Sequence, residues 1–347
     1  MKSKKGHRFM AKKSAQKVHY KFFESNLDEV AKALGQKKLS EMLKEMVLIR
    51  QFEMRAESAY QQGKVGGFFH AYMGQEAIQT AATEAMGKEN NWWITTYRCH
   101  ALAYLMGATP DEMMAELYGK KTGNAMGRGG SMHLYADRML GGFGIVGGHL
   151  PIATGAAFSL KYQKQKGVAV CFLGEGAFVQ GAVHESLNLA SLWDLPCVYV
   201  IENNQWGMGT AAHRALCVQP IAEHFAPAYG IKSYTLDGMN VLSCYGGFKH
   251  IYEETLQTGR PVLVEAVTER FRGHSISDPG LYRSKEELAK AKERDPIHIF
   301  KEALKMSDEE LEAIEKEQKE RVIAAMKFAE ESEGPDLMTL EEDVFSK

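Results

Sequence analysis

Paired cysteines are missing from this sequence. Cys99, Cys171, Cys197, Cys217 and Cys244 are its five cysteines, and no two stand at CxxC spacing. That argues against a zinc knuckle or a dithiol redox centre and for reduced thiols, of which Cys171 and Cys197 fall inside apolar runs. A long apolar run is missing too. No stretch approaches the roughly 18–20 residues of a membrane-spanning helix, and no short apolar segment of the secretory-signal kind lies near Met1. Neither sign of charge is in excess: 42 basic against 44 acidic residues leave a net of −2. The chain therefore has no general electrostatic pull towards nucleic acid or an acidic membrane. Repeats are absent, and the one biased tract is the lysine-rich, acid-free stretch from Met1 to Lys21. Being poor in arginine and serine, it reads as a solvated arm more than as a mitochondrial presequence, so a reducing cytoplasm is the expected compartment.

What is present is an ordinary globular composition, 45% apolar and 25% charged over 347 residues, enough for one large α/β domain with a sizeable core. Apolar positions at helical spacing predict a helix over 39–62 with Ser40 as N-cap, another over 75–86, and two more over 97–106 and 110–118, the last with proline at its first position. Residues 92–95 read as a short strand. From Gly119 to Gly148 the chain is crowded with glycine, a long connection of the kind that is functional when it occurs. Its Met126, Met132, Leu134, Phe143, Ile145 and Val146 predict burial of part of it. Helix is expected over 151–165, then strand 168–173, helix 182–193 and strand 196–201. A further strand, helix and strand follow over 231–236, 242–257 and 261–267. This alternation predicts a parallel sheet flanked by helices. Charged helices are expected over 284–291 and 308–330. The expected organisation is a basic, flexible arm over 1–38, the α/β domain over 39–330 and a tail over 331–347.

Two strand ends carry the chemistry. GEGAFVQG (174–181) follows one apolar run, and ENNQWG (202–207) ends the next. Glu175 and Asn204 are 204 − 175 = 29 residues apart, yet right-handed crossovers bring the carboxyl ends of successive parallel strands together. One carboxylate and one carboxamide make a poor acid–base pair and a good hard-cation site. Mg²⁺ takes about six oxygens and keeps some of them from water and a phosphate-bearing ligand. Glu175, the Asn204 amide oxygen and a backbone carbonyl such as that of Trp206 would supply three. Gly174 and Gly176 let the ligand approach the backbone, and the helix that follows favours its negative charge. The rival is a dinucleotide turn with Glu202 on a ribose hydroxyl; it would make the chain a nicotinamide-dependent oxidoreductase. The spacing is not GxGxxG, and Glu175 without a metal would repel a pyrophosphate.

GEG followed by ENN resembles the GDG…NN motif of thiamine-diphosphate enzymes. GGFFHAYMGQEA (66–77), TTYRCHA (95–101), GRGGSMH (127–133), GGFGIVGGHLPIATGAA (141–157), ENNQWGMGT (202–210) and FRGHSISDPG (271–280) are similar, in order, to the alpha subunit of the decarboxylating component of 2-oxoacid dehydrogenase complexes, with the pyruvate enzyme the nearest pattern. The similarity runs over about residues 40 to 330. It implies the thiamine-diphosphate-binding fold, thiamine diphosphate with Mg²⁺, oxidative decarboxylation of pyruvate and acetyl transfer to a lipoyl group on an acyltransferase core. Acetoin and branched-chain 2-oxoacids are the alternative substrates within the class, and a non-catalytic subunit that kept the fold is the reading outside it. The resemblance also implies residue roles. Tyr97, Arg98, Arg270 and His274 gather round the diphosphate with Gly174, Glu175, Gly176 and Ala177. Glu175, Asn204 and Trp206 hold the metal, Gly144 and Val146 hold the aminopyrimidine with Ile145 as a wedge, and His70 and His274 act at the substrate. His133 and His149 are neighbours without roles. Ser275 matches a phosphorylated serine of mitochondrial relatives, and the loop that follows is one residue shorter than theirs. Glu175 stands where aspartate is usual, which keeps the charge and the oxygen donors. The glutamate that acts on the aminopyrimidine comes from a beta subunit in this family, so an α₂β₂ tetramer with a shared site is expected.

Overall fold

The structure, a computed structural model, describes residues 18–341. Its strands are β1 (Trp92–Thr96), β2 (Met139–Phe143), β3 (Ala169–Gly174), β4 (Cys197–Asn203), the short β5 (Trp206–Gly207) and β6 (Thr210–Ala211), β7 (Lys232–Asp237) and β8 (Val262–Val267). The helices are α1 (Leu27–Gln61), α2 (Glu76–Met86), α3 (His100–Leu105), α4 (Pro110–Leu117), α5 (Leu150–Tyr162), α6 (Gly181–Leu192), α7 (Ala212–Ala215), α8 (Ile221–Phe225), α9 (Val241–Thr258), α10 (Lys285–Glu293), α11 (Pro296–Ala303) and α12 (Asp308–Glu331). Six strands form one parallel sheet in the order β2-β1-β3-β4-β8-β7, and β5 and β6 make a small antiparallel hairpin.

The strand sequences explain why the sheet is covered on both sides. Along β3 and β4, Val170, Phe172, Val198 and Val200 join the core beneath α1, α2, α9 and α12, while Cys171, Leu173, Tyr199 and Ile201 join the core beneath α5, α6 and α8. Successive residues of a strand point to opposite faces. A strand apolar at every position is therefore buried on both, as parallel sheets require. The helix ends follow local chemistry. Thr109 and Glu112 form a capping box ahead of α4, whose first residue is Pro110. Asn240 caps α9, accepting from Leu242 N and Ser243 N, and Gly259 ends it with φ 67°.

Several expectations are corrected. The first helix begins at Leu27, capped by Asn26, and runs through a break at Gly35 (φ 75°, ψ 157°), so Ser40 lies inside it. Part of the segment expected as a flexible arm is thus helical. Ahead of that helix Phe23 N donates to Thr235 O at 2.8 Å, and the Phe23 ring stacks on His250. Residues 1–17 lie outside the described residues, as do residues 342–347 of the expected tail. The glycine-rich connection contains an edge strand, β2, that glycine content concealed. Of the six apolar residues expected to drive its burial, Met126, Ile145 and Val146 are exposed and only Leu134 is fully buried. Glu202 and Asn203 belong to β4, so only Asn204 lies beyond the strand end. Helix α11 was not expected. It is held by Asp295, which binds Arg50 of α1 together with Glu76 of α2.

The topology opens a crevice where it is needed. The chain leaves β1 for β2 on one side and leaves β3 for β4 on the other, so the loops beyond β1 and β3 diverge. Ligands of parallel sheets bind at such a point, outside the carboxyl ends of the strands.

Candidate active site

A cavity of about 670 Å³ occupies that crevice. Thr96, Tyr97 and Arg98 enter it beyond β1, Gly174 to Ala177 beyond β3, Asn204 and Trp206 beyond β4, and Arg270 and His274 beyond β8. His70 reaches it from the segment before α2, and Gly144 and Val146 from the segment after β2. Every residue expected to bind or act at the site therefore lines one cavity, whereas Ile145, the expected wedge, is exposed outside its lining. His149 lines the cavity as well. His133 lies outside it and is exposed, with Nδ1 bonded to Gly142 O.

One part of the cavity wall gathers oxygen acceptors. Asn204 N donates to Glu175 Oε2 at 3.2 Å, so the strand end after β4 is tied to the turn after β3. Asn204 Oδ1 accepts from Trp206 N and from Arg270 Nη1, both at 3.3 Å, and Trp206 O accepts from the same Nη1 at 3.1 Å. One guanidinium nitrogen thus bridges the amide and carbonyl oxygens. Glu175 is 2% exposed, and burial raises its carboxyl pKa above the usual range despite backbone donors and nearby Arg270. One buried carboxylate, one amide oxygen and one carbonyl oxygen form a hard-oxygen donor set that fits Mg²⁺. Among the described residues there is no cluster of three or more His, Cys, Asp or Glu side chains with metal-holding geometry.

Directly beside these oxygens the wall is cationic. Arg98 is fixed by its donors to Ala71 O and His274 O, both at 2.7 Å. Arg270 is 1% exposed, and burial beside Arg98 lowers its pKa to about 10. It also donates to Tyr282 OH from Nη2 and to Arg272 O from Nε, at 2.9 and 3.1 Å. His274 has a defined tautomer. Met208 N, which can only donate, lies 3.2 Å from Nδ1, so Nε2 carries the proton towards Tyr97 OH at 3.3 Å. Burial and the two arginines lower the pKa of His274 to about 3, and burial with Arg98 does the same for His70. His70 packs on Tyr97 with ring centres 4.3 Å apart, and its Nδ1 is buried without a partner. Asp278 shapes the following loop by accepting from His274 N, Gly280 N and Tyr282 OH.

Three residues that hold the site or the glycine-rich segment leading to it had no expected role. Gln75 lies in a motif that drew attention, yet its contact with Asn204 is 129 residues away in sequence. Glu116 accepts from four backbone N–H groups of the glycine-rich segment: Ala125, Gly127, Gly129 and Gly130. His100 bonds Glu53 on one side and Ser131 on the other, at 3.0 and 2.9 Å. An acidic residue on a short apolar helix, followed by a run of glycines with free N–H groups, was the available signal for Glu116. Glu202, the residue a dinucleotide would need, is committed elsewhere: it accepts from Tyr72 OH and from Gln79 Nε2 at 3.1 Å.

Cations and hard-oxygen acceptors gathered at the ends of parallel strands give this α/β protein a site suited to an anionic ligand. More particularly, residues 44–338 match the dehydrogenase E1 component family, and the chain belongs to it. Enzymes of this family are thiamine-dependent 2-oxoacid dehydrogenases. The chain is 42% identical over 308 residues to the pyruvate dehydrogenase E1 component subunit alpha of Rickettsia typhi, covering 87% of this chain and 94% of the relative. It is 39% identical over 308 residues to the subunit of that name in Rhizobium meliloti, covering 87% and 88%. It is also 41% identical over 292 residues to a probable mitochondrial counterpart in Caenorhabditis elegans, covering 82% and 72%. Among the described residues no helix is long and apolar enough to cross a membrane.

Proposed function

We propose that the chain is the alpha subunit of a pyruvate dehydrogenase that acts in the cytoplasm with thiamine diphosphate and Mg²⁺, pairs with a beta subunit as α₂β₂, and delivers acetyl groups to a lipoyl-bearing acyltransferase core. The observation that carries this reading is the convergence of Glu175, Asn204 Oδ1, Trp206 O and Arg270 in one cavity. Its likeness to subunits named for pyruvate dehydrogenase supports pyruvate over acetoin or a branched-chain oxoacid.

In this reading Glu175, Asn204 and Trp206 hold the metal, and Arg98, Arg270 and the Nε2–H of His274 face the diphosphate. The backbone of Gly174 to Ala177 lets that group approach, and Gly144 and Val146 receive the aminopyrimidine. Thiamine diphosphate, when bound, supplies the electron sink for decarboxylation. His70, neutral at pH 7, meets the substrate beside His274. Exposed Ile145 and Val146, 77% and 45% accessible, sit where a partner subunit would close the cavity and exclude water.

The test is calorimetric titration of the assembled enzyme. Glu175→Ala and Asn204→Ala each abolish Mg²⁺-dependent binding of thiamine diphosphate; unchanged affinity in either overturns the metal site. Rates on pyruvate, acetoin and 2-oxoisovalerate then decide the substrate, with pyruvate expected to be fastest.

A further inference from the structure

Gln75 is the N-cap residue of α2 and lines the cavity, yet it is only 1% exposed. Its two amide atoms have unequal surroundings. Oε1 accepts from Asn204 Nδ2 at 3.1 Å, whereas Nε2 is buried and has no partner. The orientation of this pair is forced. Trp206 N and Arg270 Nη1 are both donors and both point at one atom of the Asn204 amide, which must therefore be its oxygen. That turns Asn204 Nδ2 towards Gln75, and Gln75 must meet it with Oε1. Nε2 is then left over as an N–H donor in the cavity wall. An unpaired donor at such burial is costly unless a ligand or water takes it.

We propose that Gln75 is a positioning and binding residue of this site: Oε1 locks Asn204 with Oδ1 towards the metal position, and Nε2 donates to an anionic oxygen of the bound ligands. That oxygen belongs to the diphosphate or to the carboxylate of the oxoacid. The inference rests on the reading of the cavity as a thiamine-diphosphate and metal site.

The experiment uses the chain assembled with its beta subunit and two substitutions. Gln75→Glu keeps the acceptor for Asn204 and replaces the donor with a negative charge. Gln75→Met keeps the volume and removes both groups. Each is titrated calorimetrically with thiamine diphosphate at several Mn²⁺ concentrations, and KM and kcat are measured for pyruvate. If the diphosphate is the acceptor, Gln75→Glu weakens cofactor binding about 10- to 100-fold, the range for losing a hydrogen bond to a charged group. If the carboxylate is the acceptor, cofactor affinity stays within twofold while KM for pyruvate rises by the same factor. In either case Gln75→Met needs more Mn²⁺ for half-saturation than Gln75→Glu, because only it frees the Asn204 amide. Cofactor affinity and KM both unchanged in Gln75→Glu overturn the proposal. Should that variant not assemble, unchanged values in Gln75→Met overturn it equally. Failure of the unsubstituted enzyme to bind thiamine diphosphate overturns instead the reading of the cavity.

Discussion

His149 shows how little a residue's type says about its task. It stands in the glycine-rich region beside the cavity, but its Nε2 donates to Phe172 O at 2.8 Å and it is 1% exposed. Burial lowers its pKa to about 4 from an ordinary 6.5, and His70 and His274 are lowered to about 3. An unfolded histidine takes up its proton first as pH falls, so the stability these neutral rings support is complete above about pH 6.5 and is lost as pH falls towards 4 and then 3. The ligand-free protein should therefore show a Tm that drops from pH 7 to pH 5. His149→Gln should make that slope shallower whatever its absolute stability, and an unaltered slope would contradict the assignment. His70 makes a different prediction: His70→Ala leaves cofactor binding near normal and slows turnover, and wild-type turnover would reduce it to a structural residue. At this scale the sequence was informative wherever a motif spans neighbours, as in Gly174 to Ala177 or Tyr97–Arg98. It was silent where a contact joins distant segments, as between Gln75 and Asn204, because nothing in either segment names the other.

The elements that were legible are those whose pattern is local. β3 is apolar throughout and β4 is apolar as far as Ile201, and α4 and α12 each open with a capping box. β2 was not legible, because Gly141 and Gly142 read as loop. The reason for glycine is packing: a Cβ on Gly142 would lie 2.6 Å from Cys99 Sγ and from Met132 O. The segment around β2 is ordered from outside, by Glu116 and by the Glu53–His100–Ser131 chain. Each Glu116 oxygen accepts two backbone donors, Oε1 those of Gly129 and Gly130 and Oε2 those of Ala125 and Gly127. Glu116→Gln would turn an NH₂ group against two of these donors and leave them unpaired. That should cost on the order of 2–6 kcal/mol, taking about 1–3 for each. Denaturant midpoints check this, and amide exchange of residues 125–130 should quicken. Equal midpoints would show that the carboxylate does not hold the segment.

At the scale of the whole molecule, α1, α2, α9 and α12 cover one face of the sheet and α5 and α6 the other, and the cavity lies at the edge where the strands end. In the proposed reading its metal and diphosphate side is complete within the chain. Half-buried Gly144 and exposed Val146 line another part of the cavity, with exposed Ile145 between them in sequence but outside the lining, and in that reading a beta subunit would sit there. This division was readable in the sequence only through its likeness to a family whose site is shared, since composition and periodicity do not reveal a missing half. In the proposed reading the chain holds half of an active site. Calorimetric titration of the purified chain with thiamine diphosphate and Mg²⁺, without any partner, tests it most directly. Weak or absent binding, restored when the beta subunit is added, is the result predicted here. Tight binding by the chain alone would mean that it completes its own site, and would contradict the two-chain account.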